Sequence, residues 1–176
     1  ITLSYIHAGL DVTLIDIKPR PPAEQADYFA RVRDDLRREL GILCRLGLLD
    51  AAQAEVALTR IRLCTREDAE ADLRQARVVF EAVPERLDAK RDAFLWLGAA
   101  CAPDSIIAST TSTFLVTELA ELVQGPQRFL NAHWLNPAYL IPLVEVSRGP
   151  QTSEAATQGL LAALRLAGKK PVQCAP

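Results

Sequence analysis

Short apolar runs that stop abruptly at polar clusters constrain this chain more than any other feature. Val12-Thr-Leu-Ile-Asp16 ends on an acid, and Val78-Val-Phe-Glu81 on another. Ile106-Ile-Ala108 stops at Ser109-Thr-Thr-Ser-Thr113, and Phe129-Leu-Asn-Ala-His133 stops just before Asn136-Pro137. Such runs, rich in β-branched and aromatic residues, read as strands. Between them lie stretches with helical spacing, such as Phe29, Val32, Leu36, Leu40, Leu43 and Leu46. Strands alternating with helices predict an α/β fold, a doubly wound and mostly parallel sheet with helices on both faces. Residues 12–16 and 78–83 should then share one sheet. In such sheets ligands bind outside the carboxyl ends of the strands, so the polar clusters are the candidate site.

The remaining elements follow from the same signals. Ile1, Tyr5 and Ala8 have helical spacing that stops at Gly9. Residues 21–28 read as a Pro-rich link. Further helices are expected over 51–58, 67–76 and 85–101, the last burying Leu87, Phe94, Leu97 and Cys101, with a short strand over 61–64. Thr152 should cap a final helix reaching Ala167, with Gly168 behind it, and residues 171–175 should form a last strand.

Composition removes several function classes. A chain of 176 residues with net charge −2 and a pI near 5.7 gives no electrostatic case for nucleic acid or an anionic membrane. No uncharged stretch reaches the roughly 20 residues that span a bilayer. Cys44, Cys64, Cys101 and Cys174 are far apart and form no C-x-x-C pair. They read as free buried thiols of a cytoplasmic protein, with no metal site expected.

The opening segment, a helix, a glycine, a strand and then Asp16, has the order of the second half of a dinucleotide-binding βαβ unit. The Gly-rich turn of such a unit lies about 20 residues before the acid, which places it just ahead of Ile1. The sheet is therefore expected to lack its first strand and Gly-rich loop. Asp16 would accept hydrogen bonds from the adenosine ribose; the plainer reading is a strand-end acid facing solvent. Lys18 and Arg20 could meet a 2′-phosphate, but a carboxylate at position 16 would repel one, so NAD is expected rather than NADP.

Ser109-Thr-Thr-Ser-Thr, then His133-Trp-Leu-Asn136-Pro, then Leu143-Val-Glu145-Val, with 21 residues from Ser112 to His133 and 12 from His133 to Glu145, resemble the motifs S-N-T-S-S, H-F-F-N-P and L-V-E of the L-3-hydroxyacyl-CoA dehydrogenase family. The resemblance extends from about residue 5 to residue 176 and covers the family's Rossmann-type NAD-binding domain. It implies NAD-dependent oxidation of the 3-hydroxyl of an acyl-CoA such as 3-hydroxybutyryl-CoA, as in fatty acid metabolism. Val78-Val-Phe-Glu81-Ala82-Val-Pro-Glu85 resembles the family segment V-x-E-A-x-x-E and places Glu81 and Ala82 beside the cofactor, with Ser109 and Thr110; Glu85 suits the N-terminus of the next helix. The Arg31, Arg33, Arg37 and Arg38 face of the long helix is then a candidate for coenzyme A phosphates, or a solvated face paired with Asp34, Asp35 and Glu39.

The chemistry agrees with the resemblance. Oxidising a secondary alcohol needs a base for the hydroxyl proton, and histidine suits that task near neutral pH. A carboxylate on its far ring nitrogen fixes the tautomer. His133 and Glu145 fit those roles if their strands lie side by side. Ser112 would bond the substrate oxygen and Asn136 would hold substrate or ring. Taken singly, each has a plainer reading: a structural histidine, a solvent-facing acid, a helix N-cap.

Two departures bear on the substrate. Thr110 stands where the family has Asn, and Trp134-Leu135 where it has two Phe. Asn136-Pro-Ala-Tyr139-Leu-Ile-Pro142 replaces N-P-V-P-V-M-K, and Tyr139 and Pro142 resemble the gulonate and carnitine 3-dehydrogenase branches. The alternatives are therefore a dehydrogenase of free 3-hydroxy acids, or a catalytically silent relative of the crystallin kind. The family continues into a helical domain that carries a dimer interface, so a homodimer is implied for the full-length protein. Residues 1–176 alone are expected to bind NAD weakly and show no useful turnover, since the helix N-terminus that neutralises the pyrophosphate would be incomplete.

Overall fold

The computed structural model describes residues 1–174 and divides into two compact units, Ile1–Ala69 and a second beginning at Glu70. In the first unit, helix α1 (Thr2–His7) leads into strand β1 (Val12–Asp16). Gly9 has φ 79°; its N–H reaches Ile6 O and that of Leu10 reaches Tyr5 O, both at 3.0 Å, so the last carbonyls of α1 are satisfied by a left-handed turn that glycine adopts without strain. Helix α2 (Pro22–Arg45), helix α3 (Ala51–Thr59) and strand β2 (Ile61–Thr65) complete the unit. The strands pair in parallel, with Asp16 opposite Thr65 at their carboxyl ends.

The Pro-rich link is largely helix. Pro22 occupies the first turn of α2, where a missing N–H costs nothing and φ is already set. The apolar stripe of α2 is buried at Leu40 and Leu43, whereas Leu46 beyond the helix end is exposed. Asp50 and Gln53 form a reciprocal capping box that starts α3.

The second unit runs α4 (Glu70–Gln75), β3 (Val78–Glu81), α5 (Leu87–Ala100), β4 (Ile106–Ser109), α6 (Val116–Ala120), β5 (Phe129–Trp134), β6 (Leu143–Arg148), α7 (Glu154–Leu166) and β7 (Lys170–Gln173). Its sheet has the order β3-β4-β5-β6-β7, parallel throughout except for the β5/β6 pair. Helix α7 packs on β4, β5 and β7. A side chain at Gly159 would meet Ile106 Cδ1 at 2.6 Å, so helix and strand approach as closely as they do only because that position is bare. Phe94 and Phe129, both fully buried, meet edge-on at 5.2 Å in the core.

Residues 12–16 and 78–81 lie in separate sheets rather than one. The reason is topological. A doubly wound sheet has the order 3-2-1-4-5-6; β2-β1 reproduces its 3-2 portion and β3-β4-β5 its 4-5-6 portion. The strand that holds the central place has no counterpart among the described residues, so no ladder joins β1 to β3.

Several local expectations change. Ser153, not Thr152, caps α7, its hydroxyl accepting from Ala156 N at 3.1 Å; Thr152 instead donates to Phe129 O at 2.7 Å. Leu87 is exposed, and the buried stripe of α5 runs through Lys90, Ala93, Phe94 and Leu97. Of the free cysteines, Cys64 and Cys101 are buried, whereas Cys44 is half-buried and Cys174 exposed. The last strand ends at Gln173, and Ala175 lies outside the described residues. No described helix is long and apolar enough to cross a membrane.

Candidate functional site

Asp16 closes β1. Its side chain is 8% exposed and accepts from Arg20 Nε at 2.7 Å and Gln25 Nε2 at 3.1 Å on one oxygen, and from Lys18 N at 3.2 Å on the other. Burial alone would raise its pKa; the hydrogen bonds and the Arg20 charge outweigh burial and hold the carboxyl below its ordinary value. Arg20 is itself clamped, its guanidinium 4.1 Å from the centre of the Tyr28 ring. Asp16, Lys18, Arg20, Gln25, Thr65 and Arg66 line a cavity of about 480 Å³ at the carboxyl ends of β1 and β2. A carboxylate offers about four lone-pair positions. Three are taken here, so Asp16 keeps one acceptor position, which fits a ribose hydroxyl.

In the second unit, β3 ends on Glu81, which is 3% exposed. Lys90 Nζ sits 3.1 Å from both of its oxygens, Ser109 Oγ donates at 2.6 Å and Val83 N at 2.8 Å. Lys90 also lies 3.4 Å from Glu85 Oε2. Arg86 takes the N-cap position of α5, and Glu85 turns instead to the segment after β4, accepting from Thr111 Oγ1 and from Ser112 N, each at 2.8 Å. Burial would raise the Glu85 pKa, but these bonds and Lys90 lower it overall. Thr111 Oγ1 in turn accepts from Thr113 N and Phe114 N, and Asn131 Nδ2 donates to Thr111 O at 3.2 Å. The Ser109–Thr113 turn is thus nailed down from both sides, with Ser112 on its exposed rim and Thr110 N bonded to Glu81 O at 3.0 Å. Ala82, just past β3, is exposed. Ser112 does not cap α6, whose N-cap position is Leu115.

The antiparallel β5/β6 pair sets His133 directly across from Glu145. His133 Nδ1 and Glu145 Oε2 are 2.9 Å apart, with side chains 27% and 44% exposed. A carboxylate only accepts, so Nδ1 is the nitrogen that donates to Glu145, and Nε2 is the ring nitrogen left over. Between the strands the chain turns through a cis Asn136–Pro137 peptide, leaving Asn136 exposed. Asp16 belongs to the first unit, and Glu81, Ala82, Ser109, Thr110, Ser112, His133, Asn136 and Glu145 to the second.

The sequence profile described as "3-hydroxyacyl-CoA dehydrogenase, NAD binding domain" matches residues 1–176. The chain belongs to the 3-hydroxyacyl-CoA dehydrogenase family. An L-carnitine dehydrogenase of Streptomyces coelicolor is 35% identical over 96% of this chain and 49% of its own length. A probable 3-hydroxybutyryl-CoA dehydrogenase of Bacillus subtilis is 33% identical over 94% of this chain and 54% of its own. The crystal structure of 3-hydroxybutyryl-CoA dehydrogenase from Escherichia coli superposes with a TM-score of 0.84 and 31% identity over 98% of this chain and 34% of that one. The chain spans about half the length of the curated relatives it matches. The family domain takes NAD.

Two residues of this family domain escaped sequence reasoning. Lys90 carried a visible signal: it stands at the i, i+3, i+4, i+7 positions of a buried helix stripe, where a lysine is out of place unless paired. Thr111 carried none beyond its place in the Ser109–Thr113 cluster, and Arg20, read from the sequence as a possible phosphate contact, is instead turned onto Asp16. On the long helix, Arg37 pairs with Asp34 at 3.0 Å and Arg38 with Asp35, which favours the solvated-face reading for those two.

Proposed function

We propose that the full-length protein is an NAD-dependent dehydrogenase that oxidises the 3-hydroxyl of a 3-hydroxyacyl-CoA to the 3-keto thioester. The observation that carries this is the 2.9 Å contact between His133 and Glu145. With Nδ1–H held by Glu145, Nε2 takes the substrate hydroxyl proton, and Glu145 stabilises the imidazolium that forms. Ser112, on the rim of a braced turn, bonds the substrate oxygen, and Asn136 holds the substrate at the start of the β5/β6 loop. Bound NAD supplies the hydride acceptor. In the first unit Asp16 is the residue for its adenosine ribose. In the second unit Ala82, Thr110 and the chain around Glu81 and Ser109 are the cofactor-facing positions; the Glu81 and Ser109 side chains act through the backbone they brace, since both are occupied below the surface.

A second substrate reading has its own support. The Ala138-Tyr139-Leu140-Ile141-Pro142 loop departs from the acyl-CoA pattern, and L-carnitine dehydrogenases are among the relatives at 35–36% identity. A free 3-hydroxy acid is the alternative. Assaying the full-length protein with (S)-3-hydroxybutyryl-CoA and with L-carnitine separates the two. His133→Ala should lower kcat by about 10²- to 10⁴-fold, the usual worth of a general base, while NADH binding persists. Unchanged turnover in that variant refutes the mechanism for either substrate.

A further inference from the structure

Lys169 stands between α7 and β7, 7% exposed. Its ammonium donates to Ala138 O at 2.6 Å and Ile141 O at 3.1 Å and lies 5.6 Å from the centre of the Trp134 ring. The next residue adds a third bond, Lys170 N to Pro142 O at 2.8 Å. All three acceptors belong to the chain between Asn136 and Leu143, the segment that joins His133 to Glu145. That segment also folds on itself, with Leu140 N and Ile141 N both reaching Pro137 O, at 2.9 and 3.0 Å.

Burying an ammonium costs free energy unless it is compensated. Here, among the described residues, its partners are two carbonyl dipoles and an aromatic face, not a carboxylate. A plain apolar residue would fill the space without that cost. What the ammonium adds is direction: it fixes two carbonyls of an irregular loop that no β ladder would order.

We propose that Lys169 is a positioning residue for the dehydrogenase reaction, strapping the Asn136–Pro142 loop so that Asn136 and the outward face of His133 meet the substrate in one geometry. The proposal rests on the reading of His133 as the base. It acts through placement, so its effect belongs in the chemical step and not in cofactor affinity.

The test uses the full-length protein with Lys169→Met and Lys169→Arg, assayed well below each variant's Tm. In K169M, kcat/KM for the 3-hydroxy substrate should fall by about 10- to 100-fold, as expected for a misplacement on the order of 1 Å, chiefly in kcat, with the NADH Kd unchanged within about twofold. K169R, which keeps a cation and two donors, should recover part of the loss. Wild-type kcat/KM in K169M, whatever its Tm, overturns the proposal, as does an equal loss in K169M and K169R. Should K169M fail to fold, Lys169→Gln, which retains a neutral donor, decides in the same way: reduced kcat supports the strap and wild-type kcat overturns it. If H133A also turns over normally, the underlying mechanism has failed; if H133A is dead and K169M is unimpaired, only the strap has failed.

Discussion

Glu81 and Glu145 both reach a nitrogen base from a strand of the same sheet, and their surroundings give them opposite characters. Glu81 is sealed against the Lys90 amine, with Ser109 and Val83 N filling its remaining positions. Glu145 is 44% exposed and faces His133, whose charge can change. A saturated, buried pair has no position left for another group, so it serves as scaffold for the Ser109–Thr113 turn. A half-open pair with a ring nitrogen left over keeps a position for one. Position at a strand end is therefore not enough to mark a reacting carboxylate; the partner and its access to water decide.

The largest effect should come from breaking the sealed pair. Lys90→Met leaves the Glu81 charge buried without compensation, and stability measured by denaturant unfolding of the full-length protein should fall by about 3–5 kcal/mol. The double variant Glu81→Gln/Lys90→Met should recover much of that loss. If the single variant were as stable as wild type, the pair would not be the scaffold described.

Glu145→Gln should act on rate instead. An amide cannot stabilise the imidazolium, and kcat should fall by about 10- to 100-fold at unchanged Tm, less than the roughly 10⁴ known for a fully buried triad acid, because water reaches this carboxylate. A Tm loss comparable to that of Lys90→Met would erase the distinction between the two regions.

A third carboxylate sharpens it further. Asp16 is paired like Glu81, yet unlike Glu81 it borders a cavity. With Arg20 neutralising it, the repulsion expected between Asp16 and a 2′-phosphate is reduced. Arg20→Ala should therefore raise the selectivity for NADH over NADPH by about tenfold, on the order of 1.4 kcal/mol, read from the two Kd values. Unchanged selectivity would show that Arg20 only buttresses the carboxylate.

The smallest expected effect is with pH. The folded pKa of Asp16 lies below its ordinary value, so its ionised state is fully present above the ordinary carboxylate range and is lost only as pH falls through the depressed value. From about pH 7 to about pH 5, NADH affinity should not decline on account of Asp16. A decline in the wild type that vanishes in Asp16→Asn would contradict the pairing with Arg20.

The strand-and-helix order, the parallel pairing and the His133–Glu145 partnership were legible because each rests on local pattern: β-branched runs, helical spacing and motif distance. The separation of β1 from β3 was not, because the apolar runs do not say which strand lies between them; the lacking first strand was expected, but not that it is the one that would join the two. Hydrophobicity ranks Leu87 above Lys90 for burial, and pairing with Glu81 from nine positions away reverses that ranking. Thr152 and Ser153 are both good caps by type, and only the demand of Phe129 O for a donor separates them.

The reversed strand β6 has one more consequence. Because it runs back along β5, the two members of the dyad are only 12 residues apart in the chain, where a parallel neighbour would have required a full crossover. Closing so short a loop costs little chain entropy, and pairings of short sequence separation are the ones that fold fast. The β5/β6 ladder pairs His133 with Glu145 from both sides of residues 136–142, so the register of the two side chains is carried by the strands and not by the irregular loop that joins them.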